Sequence, residues 1–326
     1  MRKITYSQAI NEALTDMMSK NSTIVYIDEL AQSGGDYGIS NGLAQKFGEE
    51  RVLEIAAAEN STVGVALGLA MTGAKPVVSI KKGYFLKNLN TIVNEIATME
   101  FMQNSQYNSS MVIRIEVGHE LGLNPQLNQD FESILAHIPG VDVVYPSNAY
   151  EAKGLMISAL SSDRPVIFLE NINLYNVECD VPEDAYEIRI GEAKVLLTGS
   201  DVTVISYGSM IEKCAVAIFK AAEKSVKCEL INLMSISPID SMKIIESVSK
   251  TGKAVIVHED KKTMGLGAEI AAIITCGDSF DYLEAPIERV CGKDQYIGYA
   301  SEYLEECVPS ADDIFASIMH LVNPEN

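Results

Sequence analysis

The sequence is short of basic residues. Its 326 positions hold 25 lysines and arginines against 45 aspartates and glutamates, which gives a formal net charge of −20 at pH 7. Basic runs are no longer than pairs such as Lys81-Lys82 and Lys261-Lys262. Nucleic acids and anionic membrane surfaces are both bound through clustered positive charge. The composition therefore predicts neither a nucleic-acid partner nor a membrane partner.

Cysteine motifs, long apolar runs and metal-ligand spacings are also missing. None of the six cysteines forms a C-x-x-C pair, so neither a zinc ribbon nor a redox dithiol is predicted. No apolar stretch reaches the roughly 18 residues of a membrane span. The N-terminal "MRKITYSQAINEAL" lacks the apolar core of an export signal. We therefore expect a cytoplasmic protein with reduced cysteines and no metal site of its own.

Strand-like and helix-like segments alternate along most of the chain, which is typical of an α/β protein with a parallel sheet. A first series runs from a strand at 22–30 to a strand at 165–170, and a second from a strand at 201–210 to a helix at 266–275. The intervening stretch 171–188 loses periodicity and carries Pro182, so we interpret it as a linker. Two α/β domains are predicted, at 1–185 and 186–326.

A single carboxylate, Glu59, separates three alanines from a small-residue helix pattern that carries Gly64 and Gly68. It could be an ordinary first-turn carboxylate that satisfies helix amides, with Asn60 or Ser61 as the cap. Alternatively, its apolar surroundings would desolvate it and raise its pKa. It could then share a proton with a heterocyclic nitrogen of a cofactor. Composition leaves both interpretations open.

Six runs of the sequence together carry a resemblance to a known family: "GISNGLAQKFGEERVLEIAAAEN", "VGVALGLAMTGAKPVV", "HIPGVDVVYPSNAYEAKGLMISAL", "RPVIFLENINLY", "VTVISYGSM" and "APIERV". With these runs the chain resembles the beta subunit of the thiamine-diphosphate-dependent 2-oxo acid dehydrogenases of the pyruvate, branched-chain and acetoin types. More distantly, it resembles the C-terminal half of transketolase. The resemblance covers nearly the whole chain. It implies a transketolase-like pyrimidine-binding domain followed by a smaller α/β transketolase C-terminal domain.

The resemblance also implies a cofactor and a partner. Thiamine diphosphate would be shared with an alpha subunit, which would hold Mg²⁺ and the diphosphate in an α₂β₂ assembly. The family's diphosphate-and-magnesium signature, a Gly-Asp-Gly with a later asparagine pair, is carried by that alpha partner. Its absence here is therefore expected, and Gly277-Asp278-Ser279 does not match it. Some members bind potassium through backbone carbonyls in the region of Ala159–Arg164, which side chains cannot predict.

Four cofactor contacts follow from the resemblance. Glu59 matches the carboxylate that hydrogen-bonds the aminopyrimidine ring and favours its imino tautomer, which removes the proton of the thiazolium carbon. Asp28 and Glu29, in "YIDELA", match an acidic pair near the paired active sites, although a solvated strand end would look the same. Tyr84, or Phe85 if the register shifts by one, falls near the aromatic residue that packs on the pyrimidine.

The sequence departs from the family where a histidine handles the substrate or the acyl acceptor. The position is occupied by Leu127, followed by Asn128. Leucine can neither donate a hydrogen bond, accept one, nor carry a proton. His119, in the replaced loop "VGHELGLNP", could supply an imidazole from another place, or it could be an ordinary loop histidine.

The expected activity is decarboxylation of a 2-oxo acid, or cleavage of a related keto compound, with transfer of the acyl or aldehyde unit. Two alternatives remain open. The chain could be the C-terminal half of a split transketolase, which moves a two-carbon ketol unit between sugars. It could also be a non-catalytic partner subunit, which Leu127 favours.

Overall fold

The structure, a computed structural model, describes residues 1–56, 58–107, 109–120 and 122–323, with only the backbone of Glu59 and Asn60. The chain divides into two compact units. The first unit comprises Met1–Val117 and His137–Ile190, and the second comprises Gly118–Ala136 and Gly191–Asn326. We call Gly118–Ala136 the inserted segment, because it belongs to the second unit although it interrupts the first. The domains predicted at 1–185 and 186–326 did not anticipate this segment.

The first unit is built on a parallel sheet. Its strands are β1 (Arg2–Thr5), β2 (Ile24–Asp28), β3 (Val52–Glu54), β4 (Lys75–Ile80), β5 (Val112–Val117), β6 (Asp142–Val144), β7 (Val166–Asn171) and β8 (Glu178–Val181). Strands β6, β7, β5, β4, β2 and β3 lie side by side in that order and are all parallel. Every residue of β7 is buried, as a parallel sheet covered on both faces requires.

Helices follow the strands of the first unit in alternation. They are α1 (Tyr6–Lys20), α2 (Leu43–Phe47), α3 (Glu59–Met71), α4 (Phe85–Asn90), α5 (Met99–Met102) and α7 (Ala149–Ser161), while α6 (Glu132–Ala136) lies in the inserted segment. Helix α1 starts in a capping box: Gln8 N donates to Thr5 Oγ1 at 3.2 Å, and Thr5 N donates to Gln8 Oε1 at 3.0 Å. Helix α4 continues directly into a π-helical turn at Thr91–Ile96, and α5 follows after two further residues.

The second unit is a smaller α/β domain. Its strands are β9 (Lys194–Leu197), β10 (Val202–Ser206), β11 (Cys228–Asn232), β12 (Ser235–Ser237), β13 (Ala254–Lys261) and β14 (Glu288–Gly292), and its helices are α8 (Met210–Ala222), α9 (Ser241–Thr251), α10 (Leu266–Cys276), α11 (Ser301–Cys307) and α12 (Ala311–Val322). Five of the strands form a sheet in the order β14-β13-β10-β11-β9, parallel except for β9. The α/β prediction is therefore confirmed in both units.

The stretch predicted to be a linker has regular structure. Asn171 ends β7, a 3₁₀ turn covers Ile172–Leu174, and β8 pairs antiparallel with β1. Strand β8 was not predicted because the proline and acidic residues at 182–184 weaken the apolar periodicity of the stretch 171–188. No helix among the described residues is long and apolar enough to cross a membrane.

A buried ammonium group fastens α7 to the chain that follows β8. The side chain of Lys153 is fully buried, and its Nζ donates to the carbonyls of Pro182 at 2.9 Å and Glu183 at 2.8 Å. It also lies 3.3 Å from Glu12 Oε2 on α1. The lysine thus satisfies two carbonyl groups and one carboxylate with a single charge.

Replacing Lys153 with methionine should therefore destabilise the fold. The Lys153→Met variant keeps the apolar stem but leaves two carbonyls without their donor, and we expect a loss of about 2–4 kcal/mol in the free energy of unfolding. Urea denaturation of the variant and the wild type would measure it. Lys20→Met, at an exposed position of α1, is the matched control. Equal stabilities of the two variants would contradict the assigned role of Lys153.

Candidate active site

Charged residues collect where the parallel strands of the first unit end. We call this set the carboxyl edge, and it consists of Asp28, Glu29, Asp36, Glu54, Lys81, Lys82 and Glu116. In open parallel sheets, ligands bind in the crevice outside the carboxyl ends of the strands. The carboxyl edge is therefore the candidate site of this unit.

A buried ion pair lies beneath the carboxyl edge. Arg114 on β5 donates from Nε and Nη2 to the two oxygens of Glu170 on β7, at 2.7 Å each. Its Nη1 donates to Tyr26 Oη at 2.7 Å and to Ser79 Oγ at 2.6 Å. Tyr175 Oη donates to Glu170 Oε2 at 2.7 Å. Bidentate pairs of this kind are among the strongest hydrogen-bonded contacts in proteins, so four neighbouring strands are held together by one polar network.

The two acids of "YIDELA" have different surroundings. Asp28 is buried, and its carboxylate accepts hydrogen bonds from Tyr26 Oη at 3.0 Å and from Leu30 N at 3.2 Å. Glu29 is partly exposed and lies 3.2 Å from Lys81 Nζ. Lys81 also contacts Asp36 at 3.1 Å. Asp28 thus belongs to the buried network, whereas Glu29 faces the open side of the edge.

Glu116 lies one residue before the end of β5 and was not among the residues predicted from the sequence. Its Oε2 accepts a hydrogen bond from Lys82 N at 3.3 Å. Burial raises the pKa of Glu116 to about 7, and the charges of Asp36 and Glu170 add to the effect. A carboxyl group that titrates near neutral pH can act as a general acid or base. The signal in the sequence was a glutamate inside the otherwise apolar end of "VIRIEV".

The structure separates the two aromatic candidates. Phe85 is completely buried at the start of α4 and belongs to the core. Tyr84 is only partly buried, and the Nζ atom of Lys87 lies 4.5 Å from the centre of its ring. Of the two residues, only Tyr84 therefore has part of its ring exposed.

Helix α3 begins at Glu59, with Ala58 as its N-cap, so neither Asn60 nor Ser61 is the cap. The side chain of Glu59 lies outside the described part of the chain. Its backbone position is in the first turn, where the positive end of the helix dipole favours a carboxylate. Gly64 and Gly68 lie on an exposed face of α3 in this chain.

The residues predicted to handle the substrate belong to the second unit, in the inserted segment. His119 is buried, with Nε2 2.7 Å from Asp130 Oδ2. Asn128 is also buried and bridges the backbone of Glu120, accepting from its N–H at 3.1 Å and donating to its carbonyl at 2.9 Å. Leu127 is half-buried. Two of the three predicted residues therefore hold the segment itself together, which spacing in the sequence could not reveal.

Comparison with known proteins identifies the domains. The family model of the transketolase pyrimidine-binding domain matches residues 2–178, and that of the transketolase C-terminal domain matches residues 191–314. Among solved structures, a split-gene transketolase described as an inactive beta4 tetramer superposes with a TM-score of 0.81 at 22% identity, covering 99% of each chain. A transketolase variant from Pichia stipitis gives 0.69 at 12% identity, covering 99% of this chain and 46% of that one. At such identities the likeness shows the fold alone.

Curated relatives are more similar in sequence. The pyruvate dehydrogenase E1 component subunit beta of Rickettsia conorii is 35% identical over 318 residues, 97% of each chain. The subunit of the same name from Staphylococcus epidermidis is 37% identical over 298 residues, 90% of this chain and 91% of the relative. With its two transketolase-type domains, the chain belongs to the transketolase-like family that includes the beta subunits of the pyruvate dehydrogenase E1 component.

Proposed function

We propose that this chain is the beta subunit of a two-subunit thiamine-diphosphate enzyme that decarboxylates a 2-oxo acid and transfers the resulting acyl or aldehyde unit. The observation that carries the proposal is the 35% identity to a pyruvate dehydrogenase E1 beta subunit over 97% of both chains. The split-transketolase alternative is less well supported, because that likeness is confined to fold at 22% identity. A cytoplasmic location, expected from the sequence, stays a prediction.

The carboxyl edge suits one end of the cofactor. Its carboxylates and the partly exposed ring of Tyr84 could accept a proton-bearing, aromatic aminopyrimidine. The same carboxylates, Asp28, Glu29, Asp36, Glu54 and Glu116, would repel a diphosphate. This charge distribution supports an arrangement in which an alpha partner holds the diphosphate and its Mg²⁺, within an α₂β₂ assembly.

Within this chain, Glu59 would hold the proton that the pyrimidine ring needs. The bound cofactor supplies an electron sink for breaking the bond next to a ketone. Glu59 would orient the ring and share a proton with its nitrogen, a role that fits a carboxyl group at the start of a helix. Glu116, which keeps a proton up to about pH 7, would add a second protonatable group to the same unit. The 2-oxo acid and the acyl acceptor stay unassigned, because Leu127 replaces the family's histidine.

Removing the proton-sharing group at residue 59 should abolish most turnover. Glu59→Gln in the enzyme assembled with its alpha partner should lower kcat by at least about 100-fold, since positioned acid–base groups contribute about 10²–10⁴-fold. Steady-state consumption of 2-oxo acids would measure it. Glu49→Gln, at an exposed position, is the matched control and should leave kcat unchanged. If Glu59→Gln retains full turnover, the non-catalytic interpretation replaces this one.

The shared site predicts that cofactor binding depends on the partner. Calorimetric titration of thiamine diphosphate with Mg²⁺ into the isolated chain should give no measurable heat of binding. The same titration into the chain purified together with its alpha subunit should give saturable binding. Tight binding by the isolated chain would contradict a site completed by another subunit.

The acidity of Glu116 should appear as a pH dependence of stability. The unfolded carboxyl group has a pKa of 4.5 and the folded one a pKa of about 7. As the pH rises between these values, only the unfolded state releases the proton, so this group makes the fold progressively less stable. Glu116→Gln should remove this loss of stability. Relative to the wild type, its free energy of unfolding should be higher at about pH 8 than at about pH 5, by about 1–3 kcal/mol.

Urea unfolding at both pH values would measure the difference. Glu100→Gln, at an exposed position, should show no such pH-dependent gain over the wild type. If the free energy of unfolding changes by the same amount between the two pH values in the Glu116→Gln variant and in the wild type, Glu116 titrates like an ordinary glutamate.

A further inference from the structure

Five buried side chains of the second unit converge between the inserted segment and β13. His119, Asp130 and Glu132 come from the segment, and Glu259 and Asp260 come from the strand. None of the five is more than 8% exposed. The ligand atoms of His119, Asp130 and Glu259 lie within 4.8 Å of one another, and so do those of Asp130, Glu132 and Asp260. Asp130 belongs to both groups, so we call the five residues the acid–imidazole cluster.

The cluster concentrates negative charge away from water. Its hydrogen-bond partners include hydroxyl groups, which do not neutralise charge: Ser133 Oγ donates to Asp260 at 2.8 Å, and Ser209 Oγ donates to Glu259. The nearby ammonium group of Lys293 is 2.9 Å from Glu306, on α11. Buried carboxylates are stable when they are paired with cations, coordinate a metal or become protonated. Four carboxyl groups this close to one another repel one another when they are ionised, and a cation or protons among them would relieve that repulsion.

Glu132 gives a second, independent observation. It is completely buried, and neither of its carboxyl oxygens meets a hydrogen-bond donor of another residue in the part of the chain that the structure describes. Its side chain nevertheless points at the cluster, since one oxygen lies within 4.8 Å of oxygens of Asp130 and Asp260. An ionised carboxylate is acceptor-only, so a bound cation would satisfy it.

A small cavity adjoins the cluster. It has a volume of about 10 Å³ and is lined by His119, Asn128, Asp130 and Glu259, together with residues that include Lys261 and Lys293. This volume is close to that of a single water-sized sphere. The space is thus enough for one ion and too small for an organic ligand.

We propose that the acid–imidazole cluster binds one divalent ion of the Mn²⁺ or Zn²⁺ type. Asp130, His119 and Glu259 would be its nearest ligands, and Glu132 and Asp260 would add carboxylate oxygens. Imidazole with carboxylates suits these ions, whereas Ca²⁺ prefers ligand sets made of oxygen alone. The ion would fasten the inserted segment to β13, and this role is independent of thiamine chemistry.

Thermal unfolding of the full chain, stripped with EDTA and then given Mn²⁺ alone, tests the proposal. Mn²⁺ is the better probe because thiolates of the six cysteines prefer Zn²⁺. At a free concentration of about 100 times the dissociation constant, Mn²⁺ should raise the unfolding midpoint by about 5 °C. Asp130→Asn should weaken Mn²⁺ binding, measured by calorimetry, by at least about tenfold. Asp312→Asn, whose native side chain is 81% exposed, is the matched control and should bind as the wild type does.

Glu132→Gln provides a second variant of nearly the same shape, should Asp130→Asn fail to fold. It should fold and also lose affinity for Mn²⁺. The proposal is overturned if Mn²⁺ neither binds the wild type nor shifts its midpoint, which would mean that the acids are protonated instead. It is equally overturned if the Asp130 or Glu132 variants bind Mn²⁺ as tightly as the Asp312 control. These measurements require neither thiamine diphosphate nor turnover. A failure of the metal proposal would therefore leave the proposed function untouched, and the reverse also holds.

Discussion

The bidentate pair between Arg114 and Glu170 is the interaction on which the first unit depends. Moving two charges into a protein interior costs several kcal/mol each, which only good geometry and further hydrogen bonds offset. Here both carboxylate oxygens accept from the guanidinium, and Tyr26 extends the chain of hydrogen bonds from Arg114 to Asp28. The charge of Glu170 helps to raise the pKa of Glu116, whereas the charge of Arg114 lowers it. The two charges of the pair therefore oppose each other at Glu116, and burial is the main cause of its raised pKa.

The carboxylates of the carboxyl edge affect which part of a phosphate-bearing cofactor this chain can bind. Carboxylates can share protons with a nitrogen heterocycle, but they repel phosphate. One chain that did both would need basic residues close to these acids, and Lys81 is already in contact with Glu29 and Asp36. A second subunit that supplied the basic groups for the phosphates would avoid this conflict. The charges of the carboxyl edge thus agree with membership in a family that includes beta subunits.

The strands could be predicted because buried parallel strands are continuous apolar runs, and "VIFLEN" and "AVIVHEDK" have that form. The polar groups inside these runs could not be interpreted from the sequence, since Arg114, Glu116 and Glu170 look like isolated charges until the strands are placed side by side. The inserted segment could not be predicted either. Its attachment rests on contacts such as that between Ser133 and Asp260, 127 positions apart, which no local pattern encodes.

The inserted segment bears on the expectation that Leu127 stands where the family has a histidine. A loop that delivers an imidazole to a substrate must expose it, yet His119 and Asn128 are buried, and Asn128 bonds within the segment. Leu127, between them, is half-buried and cannot carry a proton. The polar side chains of His119 and Asn128 therefore stabilise the segment from within and are not presented at its surface. As placed here, none of these three residues presents an acid–base group at the surface of the segment, so the imidazole that His119 was expected to supply stays paired with Asp130 inside it.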